Sequence, residues 1–274
     1  MSWAADDSSH METKQRRQAY VLPTGLMAYA CLSGNGCFAF AVLALHLLQP
    51  ELAPWNYAVS YYVYGAQGWL FTAGLLAWGL GSAALFLGLA RSIRIHRRIW
   101  GRIRVDAGLS ALAVWSAGVL ATGMFRADPW NKPPSTIGLI HENAARVAFV
   151  ALPLAALLLS HGLPSPEWRR TAVVLRLFAV MILISLIVFF ASLLPISDSF
   201  SPPVLFGLTE RLLLATYAAW LCAAATGLLR STFLKRGHLE PIPERLALDA
   251  HIASKPPVIQ FHEKEVNNEH SASD

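Results

Sequence analysis

The chain has 274 residues, of which 55% are hydrophobic and 14% are charged, and its formal net charge at pH 7 is +5. Soluble domains usually contain about a quarter charged residues, so this composition argues against a soluble globular protein and favours one membrane domain. The three cysteines lie in apolar runs and have neither the spacing of a zinc finger nor the number that a disulfide framework needs.

Six apolar segments are long enough to cross a bilayer as helices, which takes about 20 residues each. They are continuously apolar rather than alternating, which excludes a β-barrel, and a helix satisfies its own backbone groups in lipid. We therefore predict an all-α, six-helix transmembrane bundle over residues 21–232, with helices near 25–48, 66–90, 105–125, 144–162, 172–194 and 208–229. The polar ends, residues 1–20 and 233–274, lack an apolar stripe and are predicted to be disordered tails.

The distribution of basic residues predicts the orientation of the bundle. Most of the 22 Lys and Arg residues lie before the first helix, between helices two and three, between helices four and five, and after helix six. The positive-inside rule places these segments, and so both termini, in the cytoplasm of a cell with the protein in its inner or plasma membrane. We interpret the basic loop RSIRIHRRIWGRIR as a topology determinant and expect no binding to nucleic acid.

Polar side chains converge at the opposite, extracytoplasmic ends of the predicted helices. Ionisable groups at such depth are costly unless they pair or face the bundle interior, so they predict a polar pocket for a lipid headgroup or a small polar molecule. Arginines there would offer positive charge to an anion, and a histidine would form a hydrogen bond or shuttle a proton. The candidate ligand-binding residues are Ser60, Arg126, Asp128, His141, Glu142, Arg146, Glu210 and Arg211.

The same polar residues leave other interpretations open. Glu142 and Arg146 have the i,i+4 spacing of an ordinary ion pair, so the whole set could serve only to lock helices together in a structural or scaffold subunit with a membrane-protein partner. A metal-dependent membrane enzyme would use His46, Asp128 and His141, although no HxxxH or HExxH spacing supports a metal site. A transporter should have polar or broken helices near the midplane, and helices two, three and six have apolar middles. We expect binding or scaffolding rather than catalysis, and the sequence identifies no cofactor.

Short motifs along the chain resemble a bacterial and archaeal membrane family known as domain of unknown function 998. The motifs are Ser60 with YYVYG before helix two, GMFRADP at the end of helix three, His141 near the start of helix four, and GLTERLLLATYAAWL at the start of helix six, where Gly207, Glu210, Arg211 and Trp220 fit the family's closing pattern. The likeness spans about residues 25–230. It implies a six-helix membrane protein, distantly similar to the Frag1/DRAM/Sfk1 group. It singles out Asp128, His141, Glu210 and Arg211 and implies no reaction.

Overall fold

The structure, a computed structural model, describes residues 3–93, 99–129, 132–162, 168–194 and 205–237. Within these ranges the chain forms six α-helices, one short 3-10 helix at Val59–Tyr64 and no strand. The prediction of an all-α protein is therefore confirmed. The α-helices are α1 (Trp3–Leu48), α2 (Gly68–Ser92), α3 (Ile99–Met124), α4 (Thr136–Gly162), α5 (Arg169–Ser192) and α6 (Phe206–Gly237).

Each of the six α-helices contains a segment that is long and apolar enough to cross a membrane. Within the described ranges this confirms the six predicted spans, and it makes the chain a multi-pass membrane protein. The segments are Pro23–Leu48, Gly68–Ser92, Gly101–Met124, Thr136–Gly162, Arg169–Ser192 and Phe206–Leu234.

Two helices begin eight or more residues earlier than the sequence predicted. α1 begins at Trp3 and so includes residues 3–20, which were predicted to be a disordered tail. Residues 3–20 contain no proline or glycine, so their propensity favours a helix, and α1 continues through Pro23, which lacks a backbone N–H. α4 begins at Thr136 rather than near 144, because the Ser135 hydroxyl accepts a hydrogen bond from the Gly138 N–H (3.0 Å) and caps the helix there. Residues 238–274, most of the predicted carboxy-terminal tail, lie outside the described residues.

The helices form a ring in which neighbours in sequence are neighbours in space. α1 packs against α2, α2 against α3, α3 against α4, α4 against α5, α5 against α6, and α6 returns to α1. The ring therefore encloses a central space that all six helices face. We call the end of the bundle where α1, α3 and α5 finish and α2, α4 and α6 begin the mouth end.

α1 and α2 approach each other closely at a pair of glycines. A Cβ atom on Gly34 would collide with the backbone carbonyl of Ala77 and would lie 3.3 Å from the Gly81 Cα. Small residues at a helix contact allow the two backbones to approach, which is how membrane helices gain van der Waals packing. The small residues that recur along one face of α2 therefore serve packing.

A proline in α4 is compensated by a tyrosine from α6. Pro153 has no N–H, so the carbonyl of Phe149, one turn earlier, loses its usual helical partner. The hydroxyl of Tyr217, which is fully buried, donates a hydrogen bond to this carbonyl at 2.6 Å. Since lipid offers no substitute donor, this hydrogen bond ties α4 to α6 across the ring.

Removing the Tyr217 hydroxyl should be costly only while Pro153 is present. We expect Tyr217→Phe to lower the free energy of unfolding by about 1–3 kcal/mol, because a buried carbonyl is left without a donor. Pro153→Ala restores a helical N–H for Phe149, so in that background the loss should fall below about 1 kcal/mol. Unfolding of the four proteins in mixed micelles measures the cycle, and equal losses in both backgrounds would contradict this account of the hydrogen bond.

Candidate functional site

A cavity of about 610 Å³ opens at the mouth end and extends into the ring, and every helix contributes to its wall. Its volume lies within the range of about 300–1,000 Å³ that is usual for small-molecule sites. On α4 the lining residues run from Gly138 to Val150, which spans about 18 Å at 1.5 Å per residue. The hydrocarbon core of a bilayer is about 30 Å thick, so this length corresponds to more than half of a membrane span.

A layer of aromatic side chains closes the inner end of the cavity. Trp78 and Trp115 line the cavity and meet edge to face, with ring centroids 5.1 Å apart. Phe38 stacks on Trp78 at 4.2 Å, and Tyr217 meets Trp115 at 5.2 Å. Each of the four residues lies roughly ten residues, or about 15 Å, from the mouth end of its helix, so they form one layer at one depth. Such a layer fills the ring below the cavity.

The indole N–H groups of this layer have hydrogen-bond partners within the apolar helices. Trp78 donates to Asn35 Oδ1 at 2.9 Å, and Trp115 donates to Ser82 Oγ at 3.1 Å. This layer was not predicted from the sequence, in which the middles of helices two and three are apolar. The available signal was the requirement that a tryptophan in a membrane interior find an acceptor for its N–H, together with isolated polar residues at a matching depth.

His141 is buried in the cavity wall, and the hydrogen bonds of its ring fix the position of its proton. The Nδ1 atom lies 3.0 Å from the Thr122 carbonyl and 2.8 Å from the Phe125 carbonyl at the end of α3. Because carbonyls only accept hydrogen bonds, Nδ1 carries a proton, and in the neutral tautomer that this selects the lone pair is on Nε2. Nε2 is therefore the nitrogen that His141 has available for a ligand.

Three further polar side chains line the cavity close to the short 3-10 helix. Glu210 of α6 is buried, and one of its carboxylate oxygens accepts a hydrogen bond from the Val59 N–H at 2.8 Å. Within the described ranges this carboxylate accepts no other hydrogen bond, and the Ser60 hydroxyl forms none. Burial raises the pKa of Tyr61 to about 12, so its phenol stays protonated at neutral pH. These side chains give the mouth of the cavity donors and acceptors with spare capacity.

Asp128 lines the rim of the cavity and ties two helices together. Its carboxylate accepts hydrogen bonds from the Ser135 hydroxyl (2.7 Å) and the Ser135 N–H (2.6 Å). These hydrogen bonds, the hydroxyl first, hold the pKa of Asp128 below its usual value of 3.8. Since Ser135 also caps α4, Asp128 links the end of α3 to the start of α4.

Arg211 was predicted to bind an anion, but it does not line the cavity. Its Nε donates to His46 Nε2 at 3.0 Å, and its terminal nitrogens donate to the Tyr57 carbonyl (2.7 Å), the Gly207 carbonyl (2.9 Å) and the Tyr62 hydroxyl (3.1 Å). The guanidinium therefore joins α1, the loop after α1, the 3-10 helix and α6. We call this cluster of five residues the Arg211 lock.

His46 belongs to the Arg211 lock rather than to a metal site. Its Nδ1 atom lies 2.6 Å from the Val42 carbonyl, and its Nε2 accepts from Arg211, so both ring nitrogens are occupied. In the part of the chain that the structure describes, no group of three or more His, Cys, Asp or Glu residues could hold a metal ion. The structure thus does not bring His46, Asp128 and His141 together as the metal interpretation requires.

The motif GLTER at the start of α6 contacts one loop, residues 51–58, and holds it against the helix. A Cβ atom on Gly207 would collide with the carbonyls of Pro54 and Tyr57, so only glycine leaves room for the loop there. Glu210 then accepts from Val59 at the end of this loop, and Arg211 donates to Tyr57. The three residues that the sequence singled out in this motif hold the loop against α6.

The remaining predicted residues are exposed at the mouth end. Glu142 and Arg146 form an ion pair and line the cavity. Arg126 donates to the Val63 carbonyl at 3.2 Å, lies 4.3 Å from the centre of the Tyr64 ring, and does not line the cavity. The structure therefore places six of the eight predicted residues around one cavity and leaves Arg126 and Arg211 outside it. The six are Ser60, Asp128, His141, Glu142, Arg146 and Glu210.

Comparison with known proteins gives one family. The family model described as "Protein of unknown function (DUF998)" matches residues 32–227, which is more than half of the chain. No curated protein and no solved structure matches the chain. The matched range contains every residue that lines the cavity and all of the Arg211 lock. The predicted similarity to the Frag1/DRAM/Sfk1 group stays a prediction. The chain belongs to the DUF998 family of membrane proteins of unknown function.

Proposed function

We propose that this protein binds one amphiphilic molecule, with its polar group at the mouth of the cavity and its apolar part inside the ring. The observation that carries the proposal is the change of polarity along one cavity. Glu142, Arg146 and His141 lie at its mouth end, whereas Trp78 and Trp115 line its inner end. A small polar solute would match only the mouth, and a purely apolar molecule would leave the mouth unpaired.

Physical chemistry favours an occupied cavity over an empty one. Apolar surface gains about 25 cal/mol for each Å² that is removed from water, and the inner part of the cavity offers such surface on all sides. Buried polar groups with spare hydrogen-bonding capacity, such as His141 Nε2 and the Glu210 carboxylate, are costly unless a partner reaches them. A ligand with hydroxyl, amine or phosphate groups beside an acyl chain would supply both kinds of contact.

The orientation predicted by the positive-inside rule puts the mouth on the extracytoplasmic side, so the ligand would come from that side of the membrane. In the alternative function, a structural or scaffold subunit, the polar residues only join helices. The Arg211 lock supports that role for Arg211 and His46, because both His46 ring nitrogens and all three Arg211 guanidinium nitrogens have hydrogen-bond partners within the protein. It does not account for a cavity beside it. We therefore favour ligand binding over a scaffold role, and we propose that the Arg211 lock holds the mouth of the cavity open.

Filling the cavity tests the proposed function. Ala145 lines the cavity, and Val147, on the same helix, faces outward and does not line it. Ala145→Trp should reduce the lipid that stays bound in native mass spectrometry by about tenfold or more, which corresponds to roughly 1.4 kcal/mol. Val147→Trp should retain the lipid of the wild type.

Val147→Trp should melt near the wild type, whereas Ala145→Trp should lose only the stabilisation that the bound lipid provides and should still unfold cooperatively, which separates loss of ligand from loss of fold. A wild-type protein that carries no lipid in mild detergent would contradict the proposal, and so would an Ala145→Trp variant that keeps the wild-type amount.

A further inference from the structure

The wall of the cavity is incomplete between α4 and α5. Three apolar residues that line the cavity are also exposed on the outer surface of the bundle: Val150 on α4 is 47% exposed, Phe190 on α5 is 45% exposed, and Leu193, just after α5, is 42% exposed. A side chain that touches both the cavity and the surrounding lipid marks a place where the wall is one residue thick.

The walls contributed by α2 and α3 differ from this seam in the exposure of their lining residues. Leu75, Trp78, Trp115 and Val119 line the same cavity and are all buried. Among the described lining residues, the large exposed apolar side chains are Val150, Phe190 and Leu193, whereas Pro134 is exposed in the loop at the mouth. The opening therefore has a definite position and faces the bilayer rather than water.

The outer face of α4 beside this seam carries charge above apolar surface. Glu142, Arg146 and Val150 are spaced four residues apart, so they lie on one face of the helix, with each step about 6 Å along the axis. The Glu142–Arg146 ion pair lies on this face nearer the mouth end than Val150, and its side chains are 53% and 65% exposed, respectively. A phospholipid has the same order, with a charged headgroup above an acyl chain.

Aromatic side chains line the cavity directly behind the seam. Phe149 of α4 and Phe189 of α5 meet edge to face with centroids 5.3 Å apart, and both line the cavity. The cavity thus continues past this pair from the seam to the floor at Trp115. No charged side chain lines the path below Arg146 on α4.

We infer that the ligand is a membrane phospholipid and that its acyl chain enters the cavity sideways from the bilayer, through the seam between α4 and α5. This inference rests on the proposed function and deepens it, because lateral access selects ligands that are already dissolved in the membrane. The headgroup stays at the Glu142–Arg146 pair while the chain passes Val150 and Leu193.

A photoreactive phospholipid tests this route. A phosphatidylcholine with a diazirine near the end of one acyl chain is delivered to the wild-type protein in phosphatidylcholine vesicles. Labelling of the peptides that contain Trp115 and Val119 is then followed over time by mass spectrometry. Bulky residues on either side of the seam, Val150→Trp and Leu193→Trp, should each slow this labelling by roughly fivefold or more. Phe190→Ala, which widens the seam, should speed it.

Leu154→Trp is the matched control. Leu154 lies one turn from Val150 on the same helix, is 49% exposed and does not line the cavity, so its substitution should leave the labelling rate unchanged. Equal labelling rates in the wild type, Val150→Trp and Leu193→Trp would overturn the lateral route and leave the cavity as a binding site. Absence of labelling around Trp115 in the wild type would instead overturn the proposed function itself.

Discussion

Replacing Arg211 with methionine should lower the free energy of unfolding by about 3–5 kcal/mol, because it removes the donor of four hydrogen bonds in a partly buried network. The guanidinium donates to His46, to the Tyr62 hydroxyl and to two backbone carbonyls. Methionine keeps most of the apolar volume but leaves these acceptors without a donor at membrane depth. Chemical unfolding in mixed micelles, with intrinsic fluorescence as the signal, measures the loss.

Arg146→Met is the control for Arg211→Met, since it removes the same charge at the same end of the bundle. The Glu142–Arg146 pair is solvent-exposed, and exposed pairs contribute at most about 1 kcal/mol. The two variants should therefore differ by several fold in their effect on stability. If both cost the same, the Arg211 lock does not hold α1, the loop and α6 together as described.

Trp78→Ala should also lower the free energy of unfolding by about 3–5 kcal/mol, which is the usual range for a buried aromatic truncated to alanine. Trp78 is almost completely buried between Phe38 and Trp115, and its N–H is the partner of Asn35. The substitution opens a hole at the floor of the cavity and leaves the Asn35 amide oxygen without its donor.

Trp69→Ala provides the comparison on the same helix, because Trp69 is 67% exposed. Surface substitutions usually change stability by less than about 0.5 kcal/mol, so Trp69→Ala should melt near the wild-type temperature. If Trp78→Ala melted at the same temperature as Trp69→Ala, the aromatic layer would not stabilise the ring.

The spans of the bundle could be predicted because a chain in lipid has few ways to satisfy its backbone hydrogen bonds. Runs such as 172–194 are apolar throughout and can only be helices in a bilayer. The start of α4 could not be predicted in the same way, since it depends on a cap at Ser135 that is completed by Asp128 from the loop after α3. Nor does an apolar run reveal which helix lies beside it, so the ring arrangement comes from the structure alone.

The sequence predicted the height of the candidate residues in the membrane but not the direction in which their side chains point. The sequence places Glu210 and Arg211 at the same height in the membrane, yet consecutive helical residues point about 100° apart. One of them lines the cavity and the other turns toward α1 and the loop. The apolar lower part of the cavity was not predicted, because a residue such as Val119 has the same appearance in sequence whether it packs on a neighbour or lines a space.

The most direct test of the amphiphile cavity is a cryo-electron microscopy map of the protein in lipid nanodiscs. The account predicts an elongated density inside the ring that starts beside His141 and Glu142, passes Val150, and ends against Trp115. A cavity that has closed so that α4 and α6 side chains fill it, with no density between them, would contradict the account.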